Sequence, residues 1–152
     1  MKLSTRSRYG VRLMIALAVA GGNKSVFLKD IAASEDISEK YLSLIVIPLR
    51  AAGLLRSIRG ARGGYILARE PRDISLRDIV EAVEGETCLV NCVKDPDLCK
   101  RISVCPARDT WTLLSNTIKK AMAAVTLAHL VTGQKGKKGI PRPKARQIKK
   151  GK

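Results

Sequence analysis

Residues 37–67, ISEKYLSLIVIPLRAAGLLRSIRGARGGYIL, decide how this 152-residue chain folds. The first half predicts a helix from about Ser38 to Ala52, because its apolar residues recur every three or four positions. The second half predicts a β-hairpin, because an alternating segment at 55–59 and a returning strand at 65–67 flank the Gly-rich turn 60–64. The stretch therefore predicts one helix followed at once by a basic hairpin.

Two more helices are predicted upstream, at about Ser4–Ala20 and Leu28–Glu35. The first has Ser4 or Thr5 as its possible N-cap and Gly21-Gly22 as its stop. The second is joined to the next helix by a very short turn, which predicts a helix-turn-helix. A basic hairpin that directly follows such a pair is predicted to be a wing.

The whole chain divides by composition and periodicity. The predicted segments are a winged helix-turn-helix DNA-binding domain at 1–72, a connecting helix at 73–85, a cysteine-rich loop at 86–106, a dimerisation helix at 107–131 and a basic, disordered tail at 132–152. Ser75 and Asp78 are predicted to cap the connecting helix. The predicted fold class is therefore mainly α, with a winged helix-turn-helix domain, a small β-hairpin wing and a long C-terminal dimerisation helix.

The dimerisation helix is predicted from a heptad seam, in which apolar residues recur at alternating spacings of three and four. The seam consists of Trp111, Leu114, Ile118, Ala121, Val125 and Ala128. At about 1.5 Å per residue the helix would be ~37 Å long, too long to be covered by one small domain. A helix packed into the core of a single chain is the alternative.

The charge of the chain points to a polyanionic partner. Lys and Arg number 29 against 13 Asp and Glu, which gives a formal net charge of +16. The last twenty residues carry nine of the cations and no acid, and subtracting them leaves +7. Nucleic acid is the first candidate, ahead of an acidic membrane surface. With one His, few carboxylates and no phosphate-binding loop, the sequence offers no catalytic constellation, so an enzyme is not expected.

The N-terminus mimics a secretory signal, since Lys2 and several arginines precede the apolar run Leu13–Ala20. The one-sided spacing of that run favours a core helix instead. No segment has the roughly 20 apolar residues that span a bilayer. A cytoplasmic location is expected, in which cysteines stay reduced and available to bind a metal.

The predicted DNA contacts come from three elements. The N-terminal turn of the 38–52 helix would enter the major groove, the first helix would lie against the backbone, and the wing would reach phosphates or a narrow minor groove. The candidate contact residues are Arg6, Arg8, Ser38, Lys40, Tyr41, Ser43, Arg59, Arg62, Gly63 and Gly64. A homodimer implies a palindromic operator in double-stranded DNA, with half-sites about 34–36 Å apart.

All four cysteines lie in the loop 86–106, with the spacing C-x3-C-x6-C-x5-C. They are Cys88, Cys92, Cys99 and Cys105. Structural zinc usually has tighter pairs, and a disulfide switch needs only two thiols. An iron–sulfur cluster takes four ligands, mostly thiolates, and is favoured by this spacing, with zinc and a thiol switch remaining open.

Three further stretches carry a family resemblance: MKLSTRSRYG at 1–10, SEKYL at 38–42 and IRGARGGY at 58–65. Over about residues 1–130 the chain resembles the Rrf2 family of winged-helix regulators. The resemblance implies a homodimeric transcription regulator with a long crossing dimerisation helix. Cluster-binding members carry three cysteines before that helix, which match Cys92, Cys99 and Cys105, and the segment 105–111 resembles the IscR branch in particular.

The resemblance implies a two-iron two-sulfur cluster, supplied by the iron–sulfur assembly machinery, in a repressor of cluster assembly genes. The chain departs from the family pattern, because the Cys92–Cys99 spacing is one residue longer and Arg108 stands where IscR relatives often have a histidine ligand. The fourth ligand is therefore open between Cys88, Asp109 and a residue of the other subunit. A cysteine-metabolism or redox- or nitric-oxide-responsive regulator of the same family, using thiols or zinc, is the alternative function.

Overall fold

The computed structural model describes residues 3–20, 24–60 and 63–134. Within these ranges the elements are helices α1 (Thr5–Val19), α2 (Leu28–Glu35) and α3 (Glu39–Ala51), strands β1 (Leu55–Ile58) and β2 (Gly64–Leu67), a 3-10 turn (Pro71–Asp73), helices α4 (Leu76–Glu84) and α5 (Asn91–Lys94), a second 3-10 turn (Pro96–Leu98), and helices α6 (Arg108–Ala124) and α7 (Leu127–Gln134). The predicted fold class is confirmed. None of the helices in the described ranges is long and apolar enough to cross a bilayer.

The first three helices pack around an aliphatic core, as their apolar stripes predict. Ser4 is the N-cap of α1, since its hydroxyl accepts from the N–H of Arg6 at 3.1 Å. Asp36 ends α2 in the left-handed conformation, with φ of 51°, and only Ile37 and Ser38 separate it from the start of α3. Leu42 and Leu49 of α3 are fully buried against α1 and α2. The predicted stop of α1 at Gly21-Gly22 lies outside the described residues.

The wing is a two-stranded antiparallel hairpin, which pairs Leu55 with Leu67 and Ile58 with Gly64. A third segment joins it, because Val26 and Tyr65 exchange backbone hydrogen bonds of 3.0 and 2.9 Å. Gly64 has φ of +131°, and a Cβ on it would lie 2.6 Å from the carbonyl oxygen of Val26. Only glycine fits there, so this position fastens the wing to the segment before α2.

The connecting helix α4 completes the core on the other side of α1. Ser75 and Asp78 form the predicted capping box, with the Ser75 N–H donating to Asp78 Oδ2 at 2.8 Å. Ile79 and Val83 of α4 are buried against α1. Gly85 then ends the helix and opens the cysteine-rich loop.

The C-terminal helix differs from the predicted single helix at 107–131, because it breaks at Val125. Val125 is extended, with φ of −93° and ψ of 111°, and its carbonyl accepts from the N–H of Leu76 at 2.7 Å. Leu127 is fully buried, and its N–H donates to the carbonyl of Ile74 at 2.8 Å. These tertiary bonds redirect the chain into α7, which packs on α1 and extends to Gln134, into the segment predicted as tail. Only the part of the heptad seam before Val125 therefore lies on one straight helix.

Candidate nucleic-acid interface and thiol loop

The exposed face of α3 lies opposite the face that it buries. Leu42, Ile45, Val46 and Leu49 point into the core, and at about 100° per residue the positions opposite them are 40, 43, 44 and 47. Lys40, Ser43, Leu44 and Ile47 are accordingly exposed. Three of the predicted DNA contacts on this helix, Ser38, Lys40 and Ser43, are therefore exposed to solvent.

Tyr41 is held differently from its neighbours. Its ring is half-buried and meets the ring of Tyr9 edge to face, with the ring centroids 5.7 Å apart. This pair joins α3 to α1. Tyr41 is therefore a packing residue whose edge borders the exposed face.

Helix α1 carries two exposed arginines and a third, Arg12, that forms an ion pair within the protein. Arg6 and Arg8 are exposed near the N-terminus of α1, on the side predicted to meet the DNA backbone. Arg12 instead donates to Glu35 Oε2 at 2.8 Å and stacks over the Tyr9 ring. The Glu35 side chain is only 4% exposed, so this ion pair is a structural link between α1 and α2.

The wing carries one predicted arginine in the described residues and one that was not predicted. Arg59 is exposed where β1 ends, and Arg56 is exposed on the same strand, whereas Arg62 lies outside the described residues. Gly63 is buried, and a Cβ on it would lie 2.7 Å from the carbonyl oxygen of Ile58. The structure therefore gives Gly63 and Gly64 a role in shaping the wing.

Sequence reasoning also missed the residues that complete this surface. Arg50 is exposed in the last turn of α3, beside Arg56 of β1, and both line a shallow depression with Ile47. The helical and strand periodicities that place these side chains outside the core could have identified them. We call these two arginines and the exposed cations Arg6, Arg8, Lys40 and Arg59 the basic surface; they lie on α1, on α3 and on the wing, on either side of the exposed Leu44 and Ile47.

The four cysteines lie in a segment, residues 86–106, that we call the thiol loop. Its only regular structure is α5 and the second 3-10 turn. All four thiols are free and half-buried. Within the described ranges, no three side chains of His, Cys, Asp or Glu lie close enough together to hold a metal ion. The four thiols therefore do not form a ready metal site in the described part of the chain.

Arg108, at the start of α6, offers a test of whether a cluster suits the loop. Its Nε is buried and has no hydrogen-bond partner among the described residues. An unpaired buried N–H is costly, and an anionic acceptor at this point would satisfy it. Arg108 lies three residues after Cys105, and its backbone N–H donates to the carbonyl of Cys105 at 3.3 Å. A free thiol set that is followed by a buried, unpaired guanidinium N–H is compatible with an iron–sulfur cluster, whose thiolates and sulfides accept hydrogen bonds.

The first residues of the thiol loop form hydrogen bonds to both α4 and α6. The N–H of Leu89 donates to Ser115 Oγ of α6 at 3.2 Å, and Ser115 is only 1% exposed. Lys119 of α6 donates to Glu86 Oε1 at 2.6 Å, and this hydrogen bond lowers the pKa of Glu86. The N–H of Thr87 donates back to Glu81 Oε1 of α4 at 3.3 Å. The start of the loop is therefore fastened to α4 and α6.

Glu84 connects the start of the thiol loop to the first helix, α1. At the end of α4, its carboxylate accepts from the N–H of Ser4 at 2.9 Å and from the hydroxyl of Ser7, which is buried. Partial burial raises the pKa of Glu84, but the hydrogen bonds from Ser7 and Ser4 outweigh it and hold the pKa below its ordinary value of 4.5. The last residue of α4 before the thiol loop thus holds the N-terminal turn of α1, which carries Arg6.

Comparison with known proteins places these features in a family. The model of the Rrf2 family, described as iron-dependent transcriptional regulators, matches residues 3–133. The chain is 40% identical over 131 residues to the protein rrf2 of Nitratidesulfovibrio vulgaris, with 86% of this chain and 87% of that protein covered. It is 39% identical over 132 residues to the HTH-type transcriptional regulator CymR of Bacillus subtilis, with 87% and 91% covered.

Solved structures agree with the sequence comparison. The structure of CymR, the global cysteine regulator of B. subtilis, aligns with a TM-score of 0.72 and 38% identity, covering 88% of this chain and 98% of that one. IscR of T. potens aligns with a TM-score of 0.70 and 37% identity, covering 88% of both chains. The oxidized form of Staphylococcus aureus CymR aligns at 0.67 and 38%, covering 86% and 96%.

Proposed function

We propose that this chain, which belongs to the Rrf2 family of DNA-binding transcription regulators, reports the state of an iron–sulfur cluster bound in the thiol loop. The matched family is one of transcriptional regulators and not of enzymes. The observation that carries the cluster proposal is the set of four free thiols in one loop, followed three residues after Cys105 by Arg108, whose buried Nε–H lacks an acceptor among the described residues.

The proposed mode of DNA binding uses the basic surface. The N-terminal turn of α3 enters the major groove with Ser38, Lys40 and Ser43, since these side chains are exposed on the face opposite the core. Arg6 and Arg8 lie against the backbone. The wing, with Arg59, Arg62 and the backbone of Gly63 and Gly64, reaches the phosphates or the minor groove.

The chain is proposed to act as a homodimer on a palindromic operator. Trp111 and Leu114 on α6 are 39% and 41% exposed, and both belong to the predicted heptad seam. Pairing α6 with its copy would bury them. The two winged domains of such a dimer would bind half-sites about one helical turn of DNA apart.

The proposed cluster ligands are Cys92, Cys99 and Cys105, with Cys88 or Asp109 of this chain, or a residue of the other subunit, as the fourth. A two-iron two-sulfur cluster, delivered by the assembly machinery, would link these ligands when it is bound. Its presence would depend on the iron supply and on the redox state of the cell. Because the thiols are not gathered, ligation requires the loop to rearrange. Arg108 would then donate its free Nε–H to a sulfur.

Glu84 is proposed to couple the conformation of the thiol loop to DNA affinity. The loop begins next to this residue, and its carboxylate holds Ser4 and Ser7 of α1. A rearranged loop can alter DNA affinity only if the bound and free arrangements place α1 differently. A repressor of cluster assembly genes in the cytoplasm is the role that such a switch would serve.

Anaerobically purified protein tests the cluster proposal by absorption and electron spin resonance, together with iron and sulfide counts per subunit. We expect visible iron–sulfur absorption and equal iron and sulfide, both lost in Cys92→Ala. Cys88→Ala discriminates the fourth ligand, since retained iron in this variant would exclude Cys88. A colourless protein without sulfide, in which Cys92→Ala regulates normally, would contradict the proposal.

A thiol- or zinc-based sensor is the second candidate. It is favoured by the 39% identity to CymR of B. subtilis, whose solved structure is described as that of the global cysteine regulator. In that case the protein responds to cysteine metabolism, oxidants or nitric oxide through its thiols. Zinc analysis and a thiol titration before and after mild oxidation separate this candidate from the cluster, because neither outcome involves sulfide.

A further inference from the structure

Two large aliphatic side chains stand on the face of α3 that faces away from the core. Leu44 is 53% exposed and Ile47 is 63% exposed. At about 1.5 Å per residue they lie ~6 and ~10 Å beyond Lys40 along the helix axis. A helix in a small protein ordinarily places polar residues on its outward face, so this apolar pair needs a partner.

Cations border the pair on both sides. One shallow depression is lined by Arg6 and Tyr41 together with Leu44, Ile47 and Pro48. Another is lined by Ile47 with Arg50 and Arg56. A partner that fits this surface must combine negative charge on its flanks with apolar groups at its centre.

We infer that Leu44 and Ile47 read the C5-methyl groups of thymines in the major groove of the operator. The thymine methyl is the apolar feature of that groove, and phosphates on either side supply the negative charge. A groove about 12 Å wide admits α3, and both side chains lie on the face that would enter it. The inference rests on the proposed docking of α3 and adds to it which bases are recognised.

The test uses the full chain and a duplex selected by it from a random-sequence pool. Each thymine of the selected half-site is replaced in turn by deoxyuridine, which removes only the methyl group. We expect about fourfold weaker binding at one or more positions, the value for burying one methyl group. In Leu44→Ala or Ile47→Ala the affected position should become insensitive to the replacement.

Glu39→Ala is the matched control on the same helix, because Glu39 is exposed in the first turn of α3 and is not among the proposed DNA contacts. This variant should keep the full fourfold penalty for deoxyuridine. Because alanine is a good helix former and all three side chains are exposed, each variant should keep its melting temperature.

Two results overturn the inference while leaving DNA binding intact. One is a selected site at which no deoxyuridine changes the affinity, and the other is a penalty of equal size in both alanine variants. If Leu44→Ala instead changes the assembly state in sedimentation and leaves every penalty unchanged, the face binds a second copy and the inference fails. A pool without any enriched sequence would contradict DNA recognition itself and the inference with it.

Discussion

The winged head, which we define as α1 through β2, and the thiol loop differ in how much of their side-chain surface is buried. In the head, Leu42, Ile45 and Leu49 are fully buried and the wing is fastened by backbone bonds. In the loop, all four cysteines are half-buried, and Leu98 and Val104 are 65% and 68% exposed. The head is thus fixed by buried side chains and backbone hydrogen bonds, whereas the side chains of the loop are mostly only half-buried or exposed.

The largest expected effect tests whether the more deeply buried head contributes more to stability than the loop does. Leu49→Ala removes a side chain with no exposed area and should lower the free energy of unfolding by about 2–5 kcal/mol. Leu98→Ala, at 65% exposure in the loop, should change it by less than about 0.5 kcal/mol. Urea unfolding of both variants measures the contrast. Equal losses would show that the loop is packed as firmly as the head.

A second pair of variants compares two glycines with positive φ. Gly64→Ala should cost on the order of 2 kcal/mol, since it adds a clash with the carbonyl of Val26 to backbone strain. Gly85→Ala, at φ of +86° with open space around it, should cost about 1 kcal/mol from strain alone. Thermal unfolding distinguishes them. A Gly64 variant as stable as the Gly85 variant would contradict the close approach at the wing.

A third comparison concerns DNA binding by the wing. Arg59→Ala should weaken operator binding and lower the slope of log affinity against log salt by about 0.9, the value for one phosphate contact. Arg72→Ala is the control, because Arg72 is also exposed but lies in the 3-10 turn beyond the wing. Titrated shift assays at several salt concentrations supply both slopes. An unchanged slope for Arg59→Ala would refute its role in the wing.

The smallest expected effect concerns the link between the two regions. The pKa of Glu84 is lowered in the fold, so its ionised form adds stability above about pH 4.5, and this is lost as pH falls through the lowered pKa. Because Glu84 is exposed, the contribution should stay below about 1 kcal/mol. Glu84→Gln should make the acid side of the stability–pH curve shallower. Glu70→Gln, another exposed acid, should leave the curve unchanged.

Local sequence signals predicted the head well. The helices α1 to α3 begin and end within one residue of their predicted bounds, because caps and apolar periodicity are local. The break at Val125 could not be predicted, since the apolar repeat continues through it. It arises from the burial of Leu127 and from bonds to Ile74 and Leu76, about fifty residues away in the chain.

The candidate site shows the same limit. Exposed positions on α3 follow from helical periodicity, so Lys40 and Ser43 were predicted, and Leu44 and Ile47 could have been. The contact between Glu84 and Ser7 joins residues 77 positions apart and leaves no local signal. The thiol spacing predicted a ligand-binding loop, but the fourth ligand depends on tertiary arrangement and stays a prediction.

The backbone bridge between Ser75 and Thr126 has a consequence for how the protein can be divided. It holds α7 beside α1, where Leu127 fills space in the core shared with Leu13 and Ile74. We therefore expect that the winged head does not fold as an autonomous unit, although its sequence alone predicts a separate domain. A fragment ending at residue 72 would expose the α1 surface that α4 and α7 cover, so the chain should fold cooperatively over both regions at once.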